Sequence, residues 1–76
     1  MKPEPINDPV SHPAHYTFGK IEVIDAINEW QLDFDRGNAI KYIVRAGRKD
    51  PTKTTEDIRK AIFYLEDYCK RLTVAE

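Results

Sequence analysis

Apolar residues recur at the 3.6-residue period of an α-helix in three separate segments of this chain, and this pattern limits the fold more than any other feature. No segment alternates apolar and polar residues for long enough to indicate a β-strand. The pattern predicts helices over about 20–31, 35–48 and 55–72. Because 76 residues form one domain at most, we expect an all-α fold of three amphipathic helices in one small bundle.

Each predicted helix has one apolar stripe, and we expect the three stripes to face a shared core. A chain of this length buries only about 60% of the surface that its unfolded form exposes, so the core is marginal. Self-association commonly supports chains of this size, and we therefore expect a homo-oligomer. The stripe residues are Val23, Ala26, Ile27 and Trp30 in the first helix, Ala39, Ile40, Ile43 and Val44 in the second, and Ile58, Ala61, Ile62, Leu65, Tyr68, Cys69 and Leu72 in the third.

Capping residues mark the predicted helix ends. Asp33 or Asp35 is suited to cap the start of the second helix, because a short acidic side chain can accept from the first free N–H groups. Gly47 is suited to end that helix. Thr54 and Asp57 have the spacing of a capping box at the start of the third helix.

The chain begins with a proline-rich segment, since four of its five prolines lie within residues 1–13. Proline fixes φ and lacks an N–H group, so residues 1–11 are predicted to be an extended or disordered N-terminal tail. Residues 12–76 then form the single helical domain. Cys69 is the only cysteine, which excludes a disulfide within the chain and favours a cytoplasmic location. No apolar run approaches the roughly 20 residues of a membrane span, so we expect no membrane partner.

The second predicted helix has a one-sided cationic face. The net charge of −1 gives no overall basic surface for bulk nucleic acid, so an anion site must come from local clustering. Arginine and lysine can bind phosphate oxygens, asparagine can contact a base or sugar edge, and tyrosine offers a ring for stacking. An alternative is an ordinary solvated face, or cations paired with acids of the first helix. The face consists of Asn38, Lys41, Tyr42, Arg45 and Lys49, within roughly 100° of arc.

Glu22, Asp25 and Glu29 share one side of the first predicted helix at i, i+3, i+7 spacing. Such acids could hold Mg²⁺ beside phosphates or act as a base. The alternative, which we favour, is a set of salt bridges or a solvated surface.

The segment His12-Pro13-Ala14-His15-Tyr16 concentrates two histidines and an aromatic ring next to a stiff proline. Imidazoles can bind phosphate, transfer protons or ligate a metal. Two histidines alone do not make a zinc site, so we predict no metal centre. The segment either contacts a ligand or docks the N-terminal arm onto the helices.

Phe63 falls about 140° from the centre of the apolar stripe of the third helix. It is either one tolerated exposed ring or, with Tyr64 on the same flank, a contact between subunits.

Several of these segments together resemble a family of small bacteriophage proteins that is often described as nucleotide kinase-like. The resemblance covers roughly residues 10 to 72, although the chain lacks a Walker-type glycine-rich loop. The matching segments are His12-Pro13-x-His15-Tyr16, Glu22-x-x-Asp25, Gly37-Asn38-Ala39-x-Lys41-Tyr42-x-x-Arg45-x-Gly47-x-Lys49, and Glu56-Asp57-x-x-Lys60-Ala61-x-x-Tyr64-Leu65.

The resemblance implies a nucleotide-binding protein of the host cell cytoplasm. In some larger phage relatives a similar domain forms part of an oligomeric enzyme that phosphorylates deoxynucleoside monophosphates. A kinase would need Mg²⁺ and would use Glu22 and Asp25 as candidate catalytic residues facing the cations of a neighbouring subunit; otherwise no cofactor is expected. The implied ligand contacts are His12, His15, Tyr16, Asn38, Lys41, Tyr42, Arg45 and Lys49.

Three functional hypotheses follow from these observations. The first is a module that binds a nucleotide or a nucleotide-derived signal between subunits, and in a phage setting sequesters a cyclic oligonucleotide of host defence. The second is a deoxynucleoside monophosphate kinase, or a subunit of one. The third is a helical adaptor that binds a host protein through Phe63.

A substitution separates phosphate binding from structural pairing on the cationic face. If the cations of the second predicted helix bind phosphate, Arg45→Ala should weaken binding but cost little stability, because exposed ion pairs contribute only about 0–1 kcal/mol.

Overall fold

A computed structural model describes residues 14–16 and 19–75. A single 3₁₀ turn over Ala14–Tyr16 precedes helix α1 (Val23–Glu29) and helix α2 (Phe34–Arg45). A second 3₁₀ turn (Pro51–Lys53) leads directly into the long helix α3, Thr54–Ala75. The described residues form no strand, and the predicted all-α, three-helix fold is confirmed.

Helix α2 is the central element, because α1, α3 and the Ala14–Tyr16 turn all pack against it. The start of α2 lies beside the end of α3, where Asp35 meets Arg71, and Arg45 at its end lies beside Asp57 near the start of α3. The two helices are therefore antiparallel. Small side chains allow their close approach, and Ala39 and Ala61 are both buried.

The residues predicted to start and stop α2, Asp33 and Gly47, are confirmed in these roles. Asp33 is its N-cap, and its Oδ2 atom accepts from the backbone N–H groups of Asp35 and Arg36 at 3.1 and 3.2 Å. The helix ends at Arg45, three residues earlier than predicted, and Gly47 follows with a φ of +79°. Glycine adopts this left-handed conformation without the steric cost that a Cβ atom would add.

The capping box predicted for α3 is wrong. Asp50 caps the preceding 3₁₀ turn instead, with its Oδ1 atom 3.0 Å from the backbone nitrogen of Thr52. Thr54 already has helical dihedrals, and its hydroxyl donates to the carbonyl of Pro51 at 3.0 Å. Asp57 does not reach back to the helix start, because it is buried against α2.

The core is smaller than the apolar stripes predicted. Among the described residues, the buried apolar side chains are Val23, Ala39 and Ala61. The stripe of α3 is exposed along much of its length because α2, at 12 residues against 22, covers only part of it. Large stripe residues that remain exposed are Trp30, Ile43, Ile58, Ile62, Leu65 and Leu72.

Two carboxyl groups are in contact where the start of α2 lies beside the C-terminal turns of α3. Asp35 is buried and hydrogen-bonds Asp67, while Arg71 lies 3.6 Å from the Asp35 carboxylate and 2.8 Å from that of Asp67. Burial, followed by the bond to Asp67, raises the pKa of Asp35. Bonds to Arg71 and then to Asp35 lower the pKa of Asp67.

The predicted tail and the residue His12 lie outside the described residues, so the division at residue 12 stays a prediction. In the part of the chain that the structure covers, none of the helices combines the length and the apolar character that crossing a membrane requires.

Candidate anion-binding site

Cationic groups from two helices surround the ring of Tyr42. The Arg45 guanidinium carbon lies 5.0 Å from the ring centroid, and the Nζ atoms of Lys41 and Lys60 lie 5.1 and 5.4 Å from it. The ring also stacks on that of Tyr64, with centroids 5.9 Å apart and planes 10° from parallel. We call these five residues the tyrosine–cation cluster. Attraction between cations and ring faces holds positive charge at one place on the surface.

Arg45 is anchored from below by an acid of α3. Its Nε atom lies 3.2 Å from Oδ1 of Asp57, and the two side chains are 17% and 1% exposed. The expectation that Arg45 forms at most an exposed pair is therefore wrong, since Asp57 would be left buried and uncompensated without it. The pair uses the Nε atom of the guanidinium and not its two terminal nitrogens.

The Ala14–Tyr16 turn packs against the same end of α2. The Arg45 guanidinium donates to the Tyr16 hydroxyl, and burial, the largest effect, raises the pKa of Tyr16 despite that bond. Burial and then the charges of Lys49 and Arg45 lower the pKa of His15. The imidazole is therefore mainly neutral at pH 7 and lies in a field that attracts anions.

The structure thus brings together most of the residues of the predicted ligand site. His15, Tyr16, Tyr42 and Arg45 interact with one another, and Lys49 acts on His15 from the turn that follows α2. His12 lies outside the described residues.

Asn38 lies one to two turns before this group, on a different surface. It lines a groove of about 240 Å³ between α1 and the first turns of α2. Its amide nitrogen donates to the carbonyl of Phe34 at 2.9 Å. Lys41 lines the same groove and also contacts the Tyr42 ring, so it joins the groove to the tyrosine–cation cluster. The groove is lined by Ile27, Leu32, Asp33, Phe34, Gly37, Asn38 and Lys41.

Sequence reasoning gave no ligand role to Asp57 or Lys60. Asp57 shares the apolar stripe of α3 with Ala61, one turn later, and an acid on such a stripe is a signal of a buried ion pair. Lys60 carried no comparable signal, because it also pairs with Glu56 at 3.6 Å in an ordinary i, i+4 arrangement.

The acids of the first helix and the third-helix aromatics occupy other positions. Glu22 is the N-cap residue of α1, without a side-chain capping bond, and Asp25 lies in the first turn; both residues have interaction partners. No three His, Cys, Asp or Glu side chains cluster as a metal site within residues 14–16 and 19–75. Phe63 is 64% exposed, as its place off the apolar stripe predicted. Its ring meets that of Tyr64 edge-on, with centroids 5.3 Å apart.

Comparisons with known proteins give a family and a phage relative. The profile of DUF3310, described as a protein of unknown function, matches residues 10–66. Over 72 residues the chain is 36% identical to the "Gene 1.7 protein" of Enterobacteria phage T3. The alignment covers 86% of this chain and 44% of that protein, so the chain spans less than half of the relative's length. No solved structure matches the chain. A phage origin is supported, whereas nothing in these matches points to a nucleotide kinase-like family.

Proposed function

The chain belongs to the DUF3310 family of proteins of unknown function, and we propose that it binds a nucleotide or a nucleotide-derived signal through its tyrosine–cation cluster. One observation carries the proposal: two helices place Lys41, Arg45 and Lys60 within 5.0 to 5.4 Å of the centroid of a single tyrosine ring. Cations arranged about an aromatic ring suit a ligand that has both phosphates and a flat base.

Each member of the site has a distinct role in this proposal. Arg45 is held in place by Asp57, and its N–H groups that do not bond Asp57 or Tyr16 would donate to phosphate. Lys41, Lys49 and Lys60 supply further positive charge on flexible stems. His15 is mainly neutral in the free protein, and a bound phosphate would favour its protonated form, in which both ring nitrogens donate.

Titration calorimetry with a panel of nucleoside mono-, di- and triphosphates and cyclic dinucleotides tests the proposal. A variant carrying Lys41→Gln and Lys49→Gln should bind the best ligand at least about tenfold more weakly, since each lost charge-assisted bond is worth roughly 1.5–3 kcal/mol. The matched control carries Lys53→Gln and Lys70→Gln, which remove the same charge from exposed positions. Equal weakening by both pairs would reduce the effect to overall charge and overturn the assignment of the site.

In a phage setting, tight binding without chemical change would let the protein sequester a cyclic oligonucleotide signal of host defence. The ligand recovered after incubation should then be intact. Release of unmodified ligand on denaturation, measured by chromatography, checks this.

The kinase remains the alternative chemistry for the same site. Glu22 and Asp25 would have to approach the bound phosphates, and Mg²⁺ is commonly held by one or two carboxylates together with substrate phosphates. Incubation with a nucleoside triphosphate, Mg²⁺ and each deoxynucleoside monophosphate should yield diphosphates if this is correct. Glu22→Gln and Asp25→Asn should then abolish turnover and spare binding.

Self-association is the third part of the proposal, and it rests on the uncovered apolar surface. Phe34 and Phe63 are 75% and 64% exposed, and apolar patches that stay uncovered commonly mark protein contacts. Analytical ultracentrifugation should show an oligomer, and Phe63→Ser should dissociate it. That result would identify a second copy of the chain as the partner that covers the apolar surface. A monomer that captures a host protein through Phe63 would favour the adaptor hypothesis.

A further inference from the structure

The groove between α1 and α2 is built differently from the tyrosine–cation cluster that it adjoins. Its walls are apolar, formed by Ile27, Leu32 and Phe34, and its polar groups are Asp33, Asn38 and Lys41. Gly37 forms part of the floor, because a Cβ atom there would lie 3.2 Å from Cγ2 of Ile27. A larger residue at this position would narrow the groove.

We infer that this groove receives the base of the bound nucleotide and that Asn38 makes it prefer bases with an exocyclic amino group. The inference rests on the proposed function, because the base is tethered to phosphates held by the cluster. Lys41 is common to both surfaces, which makes them continuous. From Asn38 to Arg45 is seven residues of helix, or about 10 Å, the reach of a nucleoside phosphate rather than of a phosphate ion.

The size of the groove fits this division of the ligand. Pockets for complete small molecules enclose about 300–1,000 Å³, whereas this groove is open to solvent on one side and offers about 240 Å³. It therefore suits one base and leaves the sugar and the phosphates outside, toward Lys41 and the cluster. The exposed ring of Phe34 offers a face on which the base can stack.

The polar groups of the groove determine which bases fit. The amide nitrogen of Asn38 donates one of its two N–H groups to the carbonyl of Phe34, which fixes the amide and leaves its oxygen as an acceptor for a ligand. The Asp33 carboxylate is also an acceptor, although it caps α2. Adenine, cytosine and guanine carry an amino group that donates to such acceptors. Thymine and uracil offer only a ring N–H that lies between two carbonyl oxygens, and neighbouring acceptors such as Asp33 and Asn38 would repel those oxygens.

Calorimetry with dAMP, dCMP, dGMP and dTMP, and with inorganic pyrophosphate as a probe without a base, tests the inference. At least one amino-bearing nucleotide should bind about tenfold more tightly than dTMP, the effect of roughly one well-placed hydrogen bond. Asn38→Leu should remove this preference and leave pyrophosphate affinity unchanged. Asn28→Leu makes the same exchange at an exposed position outside the groove and should alter neither.

NMR chemical shifts of Ile27 and Leu32 provide the second measurement. They should move with nucleotides and stay still with pyrophosphate. If pyrophosphate and nucleotides bind equally and the groove signals stay still, the inference is overturned while the phosphate site stands. If no phosphate compound binds, the proposed function itself is refuted. Groove signals that move with protein concentration alone would assign the groove to a second copy and overturn the inference.

Discussion

Replacing Arg45 by methionine should destabilise the protein severely, because it leaves a buried carboxylate without its cation. Asp57 is 1% exposed, and Arg45, 3.2 Å away, is its ion-pair partner. Methionine preserves most of the aliphatic part of the arginine side chain, so the fall in the free energy of unfolding reports mainly the removal of the positive charge. Removing one partner of a buried pair costs about 3–5 kcal/mol. A 76-residue domain at about 0.05–0.15 kcal/mol per residue has roughly 4–11 kcal/mol in total, so the variant should retain little stability.

The double variant Arg45→Met, Asp57→Leu separates the buried charge from lost packing. If the cost comes from the uncompensated carboxylate, removing that carboxylate as well should restore most of the stability, since apolar replacements of a buried pair are often neutral. The control is Lys53→Met, which breaks the Lys53–Glu56 pair, whose side chains are 56% and 52% exposed. That exposed i, i+3 pair should contribute less than about 1 kcal/mol.

Urea unfolding followed by far-UV circular dichroism, at one fixed protein concentration and pH 7, gives the free energy of unfolding for each variant. A loss below about 1 kcal/mol in Arg45→Met would refute the reasoning, because it would show Asp57 to be well solvated without arginine. A double variant as unstable as the single one would refute it too, and would assign the cost to packing.

Three further predictions concern the ends of α2 and the His15 imidazole. Asp35→Asn should raise the melting temperature at pH 7 but not at pH 3. The pKa of Asp35 is raised in the folded state, so its ionisation costs stability as pH rises from about 4. Asparagine cannot ionise and therefore avoids this cost. The depressed pKa of His15 should rise when sulfate binds, as an NMR titration against chloride at equal ionic strength would show; no change would place the anion elsewhere. Gly47→Ala should cost about 1–2 kcal/mol in urea unfolding because its φ is +79°, whereas Gly19→Ala should cost less.

Local sequence signals predicted the helices of this fold well. The cap at Asp33 and the left-handed Gly47 both depend on nearby backbone groups, so a single segment contains the information. The start of α3 was predicted wrongly, because Thr54 and Asp57 have capping-box spacing although Asp50 caps the 3₁₀ turn that leads into the helix. The tertiary contact of Asp57 with Arg45 takes its carboxylate away from the helix start, and local spacing does not reveal that contact.

The sequence predicted most residues of the candidate site but not the contacts between helices that assemble it. Tyr42 and Arg45 were identified from one helix face, and His15 and Tyr16 from their density in a short segment. The stacking of Tyr42 on Tyr64 and the approach of Lys60 depend on how α3 crosses α2, which periodicity does not specify. Asn38 shares the face by angle, yet packing of α1 places it in a separate groove.

The unequal packing around α2 has a consequence for the order in which the protein opens. The α2–α3 pair is joined by a short connection and held by the buried Arg45–Asp57 ion pair, so it should form early and exchange its amide hydrogens slowly. In helix α1 only Val23 is buried, at 8% exposed, and Ile24 is 59% exposed. We therefore expect α1 to detach while the pair stays folded, so that the groove opens to solvent in brief excursions that leave the cations around Tyr42 in place.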